Sequence, residues 1–252
     1  MKKYLGQNFL YDPSILKRII QAGGVTHEDT VVEIGPGRGR LTRMLAERAK
    51  KVIAIEIDRE LYGRLKDELK DLPNIELVLG DGLRYDYSIL DRFKVVANIP
   101  YYITTPIIFK LLEHKGRLTS MTLTLQREVA ERMVSAPGGK DYGVLTLMVQ
   151  YHGKPKIKFI IPRGAFRPVP RVDSACLHME IRRTPPVMVK DEEFFFKVIK
   201  TAFSHRRKTI ANALKPVSPF IKERLLSLGI EPVRRPETLS MEEFARLADV
   251  LR

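Results

Sequence analysis

The chain has 252 residues, 44% of them hydrophobic and 29% charged, the composition of a globular protein large enough for one big domain or two. Forty-four Lys and Arg against 30 Asp and Glu give a net charge of +14, which favours a polyanionic partner, nucleic acid first. No apolar run approaches the ~18 residues of a membrane span, and Met1-Lys2-Lys3-Tyr4 leads straight into polar Gly6-Gln7-Asn8, without the apolar core of a signal peptide. The single cysteine, Cys176, excludes an internal disulfide, leaves no cysteine cluster for zinc and fits a reducing cytoplasm. The positive charge is spread out: residues from Arg183 onward carry 14 basic and 9 acidic side chains, and the preceding 182 residues carry the remaining +9.

In chain order, Gly6-Gln7-Asn8-Phe9-Leu10 is an extended lead-in. Asp12-Pro13 starts a helix as N-cap and first position, Ile15, Leu16, Ile19 and Ile20 share one face, and Gly23-Gly24 stops it. Residues 30–34 read as a first strand closed by Gly35-Pro36-Gly37-Arg38-Gly39, and a helix with Leu41, Met44 and Leu45 on one face follows. Residues 51–57 form a second strand and 75–79 a third, with a helix carrying Leu61, Leu65 and Leu69 between them. The apolar run Val95-Val96-Ala97 is a fourth strand ending in Asn98-Ile99-Pro100-Tyr101, and 121–125 is a fifth. Helices are expected at 104–113, 128–134 and 142–151. Residues 157–161 and 175–181 alternate as two strands joined by a Pro-rich loop, an antiparallel pair because no helix separates them.

Strands alternating with helices predict an α/β fold: a doubly wound, Rossmann-like sheet of seven strands. Arg182-Arg183-Thr184-Pro185-Pro186 breaks the pattern, and the rest reads as helices at 191–204, 206–214, 219–228 and 240–251. The expected domains are therefore 1–183 and an all-helical 184–252.

In open α/β sheets ligands bind beyond the carboxyl ends of the strands. The glycine turn at 35–39 lets a ligand approach the backbone at a helix start, but Arg40 stands where a dinucleotide fingerprint requires glycine, and there is no P-loop Lys-Ser/Thr pair. Glu56 ends the second strand, 19 residues past Gly37, where a carboxylate can accept from both ribose hydroxyls, and Asp81 ends the third, where it can accept from an adenine amino group. Together they outline a site for a nucleoside without a pyrophosphate, which suggests S-adenosylmethionine. The four residues from Asn98 fit a plain strand-ending turn as well as a site for an aromatic amine.

The chain resembles the small-subunit ribosomal RNA adenine N6,N6-dimethyltransferases, the kasugamycin-sensitivity methyltransferases, over essentially its whole length. The resemblance rests on Gly6-Gln7-Asn8-Phe9-Leu10, Glu33-Ile34-Gly35-Pro36-Gly37, Glu56-Ile57-Asp58, Gly80-Asp81, Asn98-Ile99-Pro100-Tyr101, Phe166-Arg167-Pro168-Val169-Pro170-Arg171-Val172-Asp173-Ser174 and His205-Arg206-Arg207-Lys208-Thr209. One position departs: Tyr102 stands where the family usually has Asn.

The resemblance implies an S-adenosylmethionine-dependent enzyme that dimethylates N6 of two adjacent adenosines in the 3′-terminal hairpin of 16S rRNA, with a role in subunit biogenesis. It implies 16S rRNA of the small ribosomal subunit as partner, a helical RNA-recognition domain, a monomer, and neither membrane nor metal. Gln7, Asn8, Leu10, Glu33, Gly35 and Gly37 would serve the cofactor, as would Glu56, Ile57, Asp81, Gly82 and Asn98. Asn98 and the Pro100 carbonyl would accept the target amine's hydrogen bonds, with Tyr101 and Phe166 as stacking faces. Arg167, Arg171, Arg206, Arg207 and Lys208 would contact RNA phosphates, the last three opening a helix. Two rival readings are the large-subunit (23S) rRNA adenine methyltransferases of macrolide resistance and an RNA-binding assembly factor whose methylation is incidental.

Overall fold

The computed structural model describes residues 8–205 and 207–252; Gln7 and Arg206 lie outside the described residues. The chain forms two compact units, one of residues 1–130 and 154–181, the other of 131–153 and 182–252.

The first unit is the sheet. Its strands are β1 (Phe9–Leu10), β2 (Thr30–Ile34), β3 (Lys51–Glu56), β4 (Ile75–Leu79), β5 (Phe93–Asn98), β6 (Leu118–Gln126), β7 (Gly153–Ile161), β8 (Phe166–Arg167) and β9 (Ser174–Ile181), and its helices α1 (Pro13–Gly23), α2 (Arg40–Ala46), α3 (Arg59–Glu68) and α4 (Thr104–Leu112). Seven strands form one sheet in the order β4-β3-β2-β5-β6-β9-β7. The pairs from β4 through β6 are parallel, and β9 returns antiparallel to β6. The order reverses beside β2: the chain leaves it toward β3 on one side and comes back to β5 on the other. A crevice therefore opens beyond the carboxyl ends of β2 and β5, where such sheets bind ligands.

Local chemistry explains the elements that frame this crevice. Asp12 caps α1 by accepting from Ser14 N at 2.8 Å, and Gly24 closes the helix in the left-handed region. Asp58 caps α3 by accepting from Glu60 and Leu61 N–H groups, which fixes the turn directly after Glu56. The central strands are buried on both faces, as their unbroken apolar runs require: Val31, Val32, Val52, Ala54, Val95 and Ala97 have no exposure.

The lead-in and the Pro-rich loop meet as a second, two-stranded sheet, β1 against β8, pairing Phe9 with Arg167 and Leu10 with Phe166. Leu10 and Phe166 enter a core with Leu16, Ile19, Ile20, Leu41 and Cys176. This corrects one expectation, the exposed ring of Phe166. The Leu10 side chain packs in the core while Phe9, the adjacent strand residue, lines the main cavity, and Leu10 also borders a small recess beside it that holds Glu33. Phe166 is 0% exposed, so its ring is core packing and offers no face to a base.

The second unit is built by α5 (Arg127–Val134), whose first half belongs to the sheet unit, α6 (Val144–His152), α7 (Glu192–Ala202), α8 (Ile210–Leu214), α9 (Ile221–Ser227) and α10 (Met241–Leu251). Its core joins Leu147 and Tyr151 of α6 to Phe195, Ile199, Leu214, Leu225 and Phe244. Residues 131–153, expected within the first domain, thus pack with the helices that follow Arg182. The helix after Lys208 starts at Ile210 with Thr209 as its N-cap, so Arg207 and Lys208 precede it instead of opening it. Among the described residues no helix is long and apolar enough to cross a membrane.

Candidate active site

A cavity of about 240 Å3 lies within the sheet unit and is lined from four consecutive parallel strand ends. Gly35 and Gly37 come from the turn after β2, Glu56 and Ile57 from the end of β3, Gly80, Asp81, Gly82 and Leu83 from the turn after β4, and 98–103 from the end of β5. Asn8 and Phe9 close a further side. Asn8, Gly35, Gly37, Glu56, Ile57, Asp81, Gly82, Asn98, Pro100 and Tyr101, all expected at the site, share this cavity; Leu10 and Glu33 line an adjoining recess, and Phe166 lines neither.

The turn after β2 is held open for a ligand. Gly35 N–H bonds the Ile55 carbonyl at 2.9 Å, tying the turn to β3. Gly37 sits at φ 59°, and a Cβ there would stand 2.7 Å from the Phe9 ring, so both backbone shape and close approach require glycine. Glu56 is buried and doubly anchored: Oε2 accepts from Gly37 N–H at 3.1 Å and Oε1 from Asp58 N–H at 2.9 Å. Burial raises its pKa, with these two N–H groups opposing the shift. Each carboxylate oxygen keeps a lone pair beyond its backbone bond, which suits a diol.

Asp81 folds back so that Oδ1 accepts from Leu83 N–H at 2.9 Å. Behind it the fully buried Tyr87 donates its hydroxyl to the Gly82 carbonyl at 2.8 Å, and a Cβ on Gly82 would strike Ile34 at 2.8 Å. The acidic side chain is thus carried on a turn fixed from below.

Asn98 has the most constrained side chain at the fourth strand end. Its Nδ2 donates to the Asn8 carbonyl at 2.9 Å. A carbonyl only accepts, so the amide nitrogen must face it, and Oδ1 is left as an acceptor at the cavity. The Pro100 carbonyl, expected as the second acceptor, already takes Ile103 N–H at 3.1 Å, with Thr104 Oγ1 at a long 3.5 Å. The Ile99 carbonyl accepts no hydrogen bond among the described residues, and Ile99 lines the same cavity. Tyr101 is half-buried with its hydroxyl 2.6 Å from that of the buried Ser174, which holds its ring in place.

Glu33 lies on β2 one step from the turn, in a small recess that shares Phe9, Gly35 and Asn98 with the main cavity. It is 2% exposed, its Oε2 has no hydrogen-bond partner among the described residues, and burial, opposed by the Thr42 hydroxyl and reinforced by the Glu56 carboxylate, pushes its pKa up to about 8. Among the lining positions that sequence reasoning missed are Phe9, Ile34, Ile55, Leu83, Ile99 and Ile103, with Tyr87 in support. Phe9 and Ile99 left a signal, as members of the lead-in and of the turn that ends β5.

Of the basic residues expected to meet RNA, Arg171, Arg207 and Lys208 are exposed. Arg167 is exposed too, but its guanidinium donates to the Gly164 and Phe166 carbonyls at 2.8 Å each and so fastens its own loop.

A doubly wound sheet with a glycine turn, two acidic strand ends and an Asn-led turn around one cavity defines the class I methyltransferases. A family model described as ribosomal RNA adenine dimethylase matches residues 1–252, and the chain belongs to that family. Ribosomal RNA small subunit methyltransferase A of Moorella thermoacetica is 48% identical over 99% of this chain and 92% of its own length. The protein of the same name from Shouchella clausii is 46% identical over 100% and 90%. A dimethyladenosine transferase from Plasmodium falciparum superposes with a TM-score of 0.80 at 28% identity, covering 95% of each chain. The 23S rRNA methyltransferase ErmE does so with a TM-score of 0.76 at 30% identity, covering 97% of this chain and 99% of its own.

The cofactor of the family is S-adenosylmethionine. The residues present fit it. The anchored Glu56 carboxylate offers acceptors for a ribose, Asp81 an acceptor for an adenine amine, and Glu33 Oε2 a buried acceptor for the ammonium of an amino acid, whose charge would favour the ionised carboxylate.

Proposed function

We propose that this chain dimethylates N6 of two adjacent adenosines in the 3′-terminal hairpin of 16S rRNA, acting in the cytoplasm as a metal-free monomer during small-subunit biogenesis. The observation that carries the reading is the Asn98 amide, turned by the Asn8 carbonyl so that its oxygen is free to accept from an amine beside the cofactor cavity. Relatives named for the small subunit match almost the whole chain at 46–48% identity, against 30% for the 23S enzyme, and this favours the small-subunit substrate.

When bound, S-adenosylmethionine supplies a methyl group on a positively charged sulfur. The protein's task is to make a poor nucleophile ready for it. The lone pair of adenine N6 is delocalised into the ring. Asn98 Oδ1 accepts one N–H of the amine, and the Ile99 carbonyl, open where that of Pro100 is occupied, accepts the other. Two acceptors on one side draw the nitrogen toward a tetrahedral shape and free its lone pair, which is orientation combined with electrostatic stabilisation. The Tyr101 ring, fixed through Ser174, is the stacking face for an adenine extruded from its helix. No strong base is required, because the methylated cationic amine is acidic and gives its proton to solvent or a backbone oxygen. After the first transfer one N–H is left, and a neutral amide loses less than a carboxylate when one donor is missing. That suits a second methylation.

Arg171, Arg207 and Lys208 serve as phosphate contacts, with 184–252 recognising RNA. The test is methyl transfer from labelled cofactor to unmodified small subunits and, separately, to 23S rRNA, with the products mapped by mass spectrometry. N6,N6-dimethyladenosine at two neighbouring positions of the 16S 3′ hairpin is the expected product. Label confined to 23S rRNA supports the macrolide-resistance reading instead.

A further inference from the structure

Tyr101 and Tyr102 are consecutive tyrosines that line one cavity, but their surroundings differ. Tyr101 is half-buried and tied through its hydroxyl to Ser174. Tyr102 is 54% exposed and lines the cavity together with Glu56, Ile57 and Asp81; burial, then the carboxylates of Asp81 and Glu56, raise the pKa of its phenol. An aromatic side chain left half in water is not explained by core packing. The other large apolar side chain exposed at the cavity is Ile57, 49% exposed, from the end of β3. Two exposed apolar groups beside two carboxylates make a slot for a flat ring that is apolar on its faces and carries donors on its edge. A purine has that chemistry. The target adenine belongs to Asn98 and Tyr101 at the other end of the cavity.

We propose that Tyr102 is a cofactor-contacting residue whose ring stacks on the adenine of the bound nucleoside at the Asp81 and Ile57 end of the cavity. The inference rests on the reading of this cavity as the S-adenosylmethionine site and adds to it a contact that the Asn-led motif does not itself supply. It also explains how a cavity open to water at that end can retain a purine: the ring replaces solvent on a face that would otherwise stay exposed.

Calorimetric titration of the full-length chain with S-adenosylhomocysteine tests this, using wild type, Tyr102→Phe, Tyr102→Leu and Tyr102→Ala. Stacking of this kind corresponds to about a tenfold loss of affinity when the ring is removed. Tyr102→Ala and Tyr102→Leu should each weaken binding by about that factor, Tyr102→Phe should restore most of it, and the KM for RNA should change less than twofold. Adenosine as a competitor should lose the same factor. Equal cofactor affinity in wild type and Tyr102→Ala would overturn the proposal, as would a rise in KM for RNA with cofactor affinity unchanged, since the ring would then face the substrate. A wild type that does not bind S-adenosylhomocysteine would instead overturn the underlying reading of the cavity. Should Tyr102→Ala fold poorly by circular dichroism, the Phe and Leu variants carry the comparison.

Discussion

At the scale of single residues, the site depends on which atoms are already committed. Asn98 gives its amide N–H to Asn8 and keeps its oxygen, whereas the Pro100 carbonyl already accepts from Ile103 N–H. Asn98→Ala should therefore leave S-adenosylhomocysteine affinity within a few-fold of wild type and lower kcat by roughly 10²–10³, the usual loss for one preorganised polar contact to a reacting group. Equal losses in cofactor binding and turnover would assign Asn98 to the cofactor alone. Glu33 makes a separate prediction. Its folded pKa of about 8 lies above the ordinary 4.5, so the folded chain favours the protonated carboxyl. The stability tied to this group is complete below about pH 4.5 and is lost as pH rises through about 8. Glu56, raised by the same cause, adds in the same direction. Denaturant titrations of the cofactor-free protein should show stability falling from pH 5 to 8, and Glu33→Gln should flatten that fall; identical slopes would contradict the assignment. The acidic strand ends were legible in the sequence because their spacing from the glycine turn follows the chain. The amide's orientation was not, because it is set by a carbonyl 90 residues away.

At the scale of elements, the decisive piece is the small sheet of β1 and β8, which holds the lead-in over the glycine turn and puts Phe9 against Gly37. Phe166→Ala should cost stability, about 3–5 kcal/mol for a large buried aromatic, while Phe166→Leu should keep most of both stability and activity. A Phe166→Ala protein of normal melting temperature but weak RNA binding would restore the stacking role that burial denies it. Gly37→Ala combines a strained backbone with a clash against the Phe9 ring and should weaken cofactor binding more than it lowers the melting temperature. The helices and central strands were readable because caps and apolar periods are local. The β1–β8 pair was not, since its partners lie about 157 residues apart in sequence and each is only two residues long. The same limit applies to α6: its apolar face announces a helix, but nothing in the pattern of Leu147 and Tyr151 says which of two cores it joins.

At the scale of the whole molecule, the net charge of +14 anticipates a polyanion, and exposed Arg171, Arg207 and Lys208 are named contributors. RNA affinity should fall steeply with salt, and replacing each of these three by Ala should reduce the logarithmic salt slope by roughly 0.7–0.9 if it meets one phosphate. A flat salt response would remove the charge from the account of binding. Composition made the partner's sign legible but not its identity, because charge recognises phosphate and not sequence. Identity rests on the central claim, that the amide acceptor at the end of β5 prepares adenine N6 for two successive methylations in 16S rRNA. The most direct measurement is mass spectrometry of 16S rRNA from unmodified small subunits after incubation with the purified protein and labelled S-adenosylmethionine. The account predicts two adjacent N6,N6-dimethyladenosines in the 3′-terminal hairpin with wild type and none with Asn98→Ala; an unlabelled hairpin with the wild-type protein would contradict it.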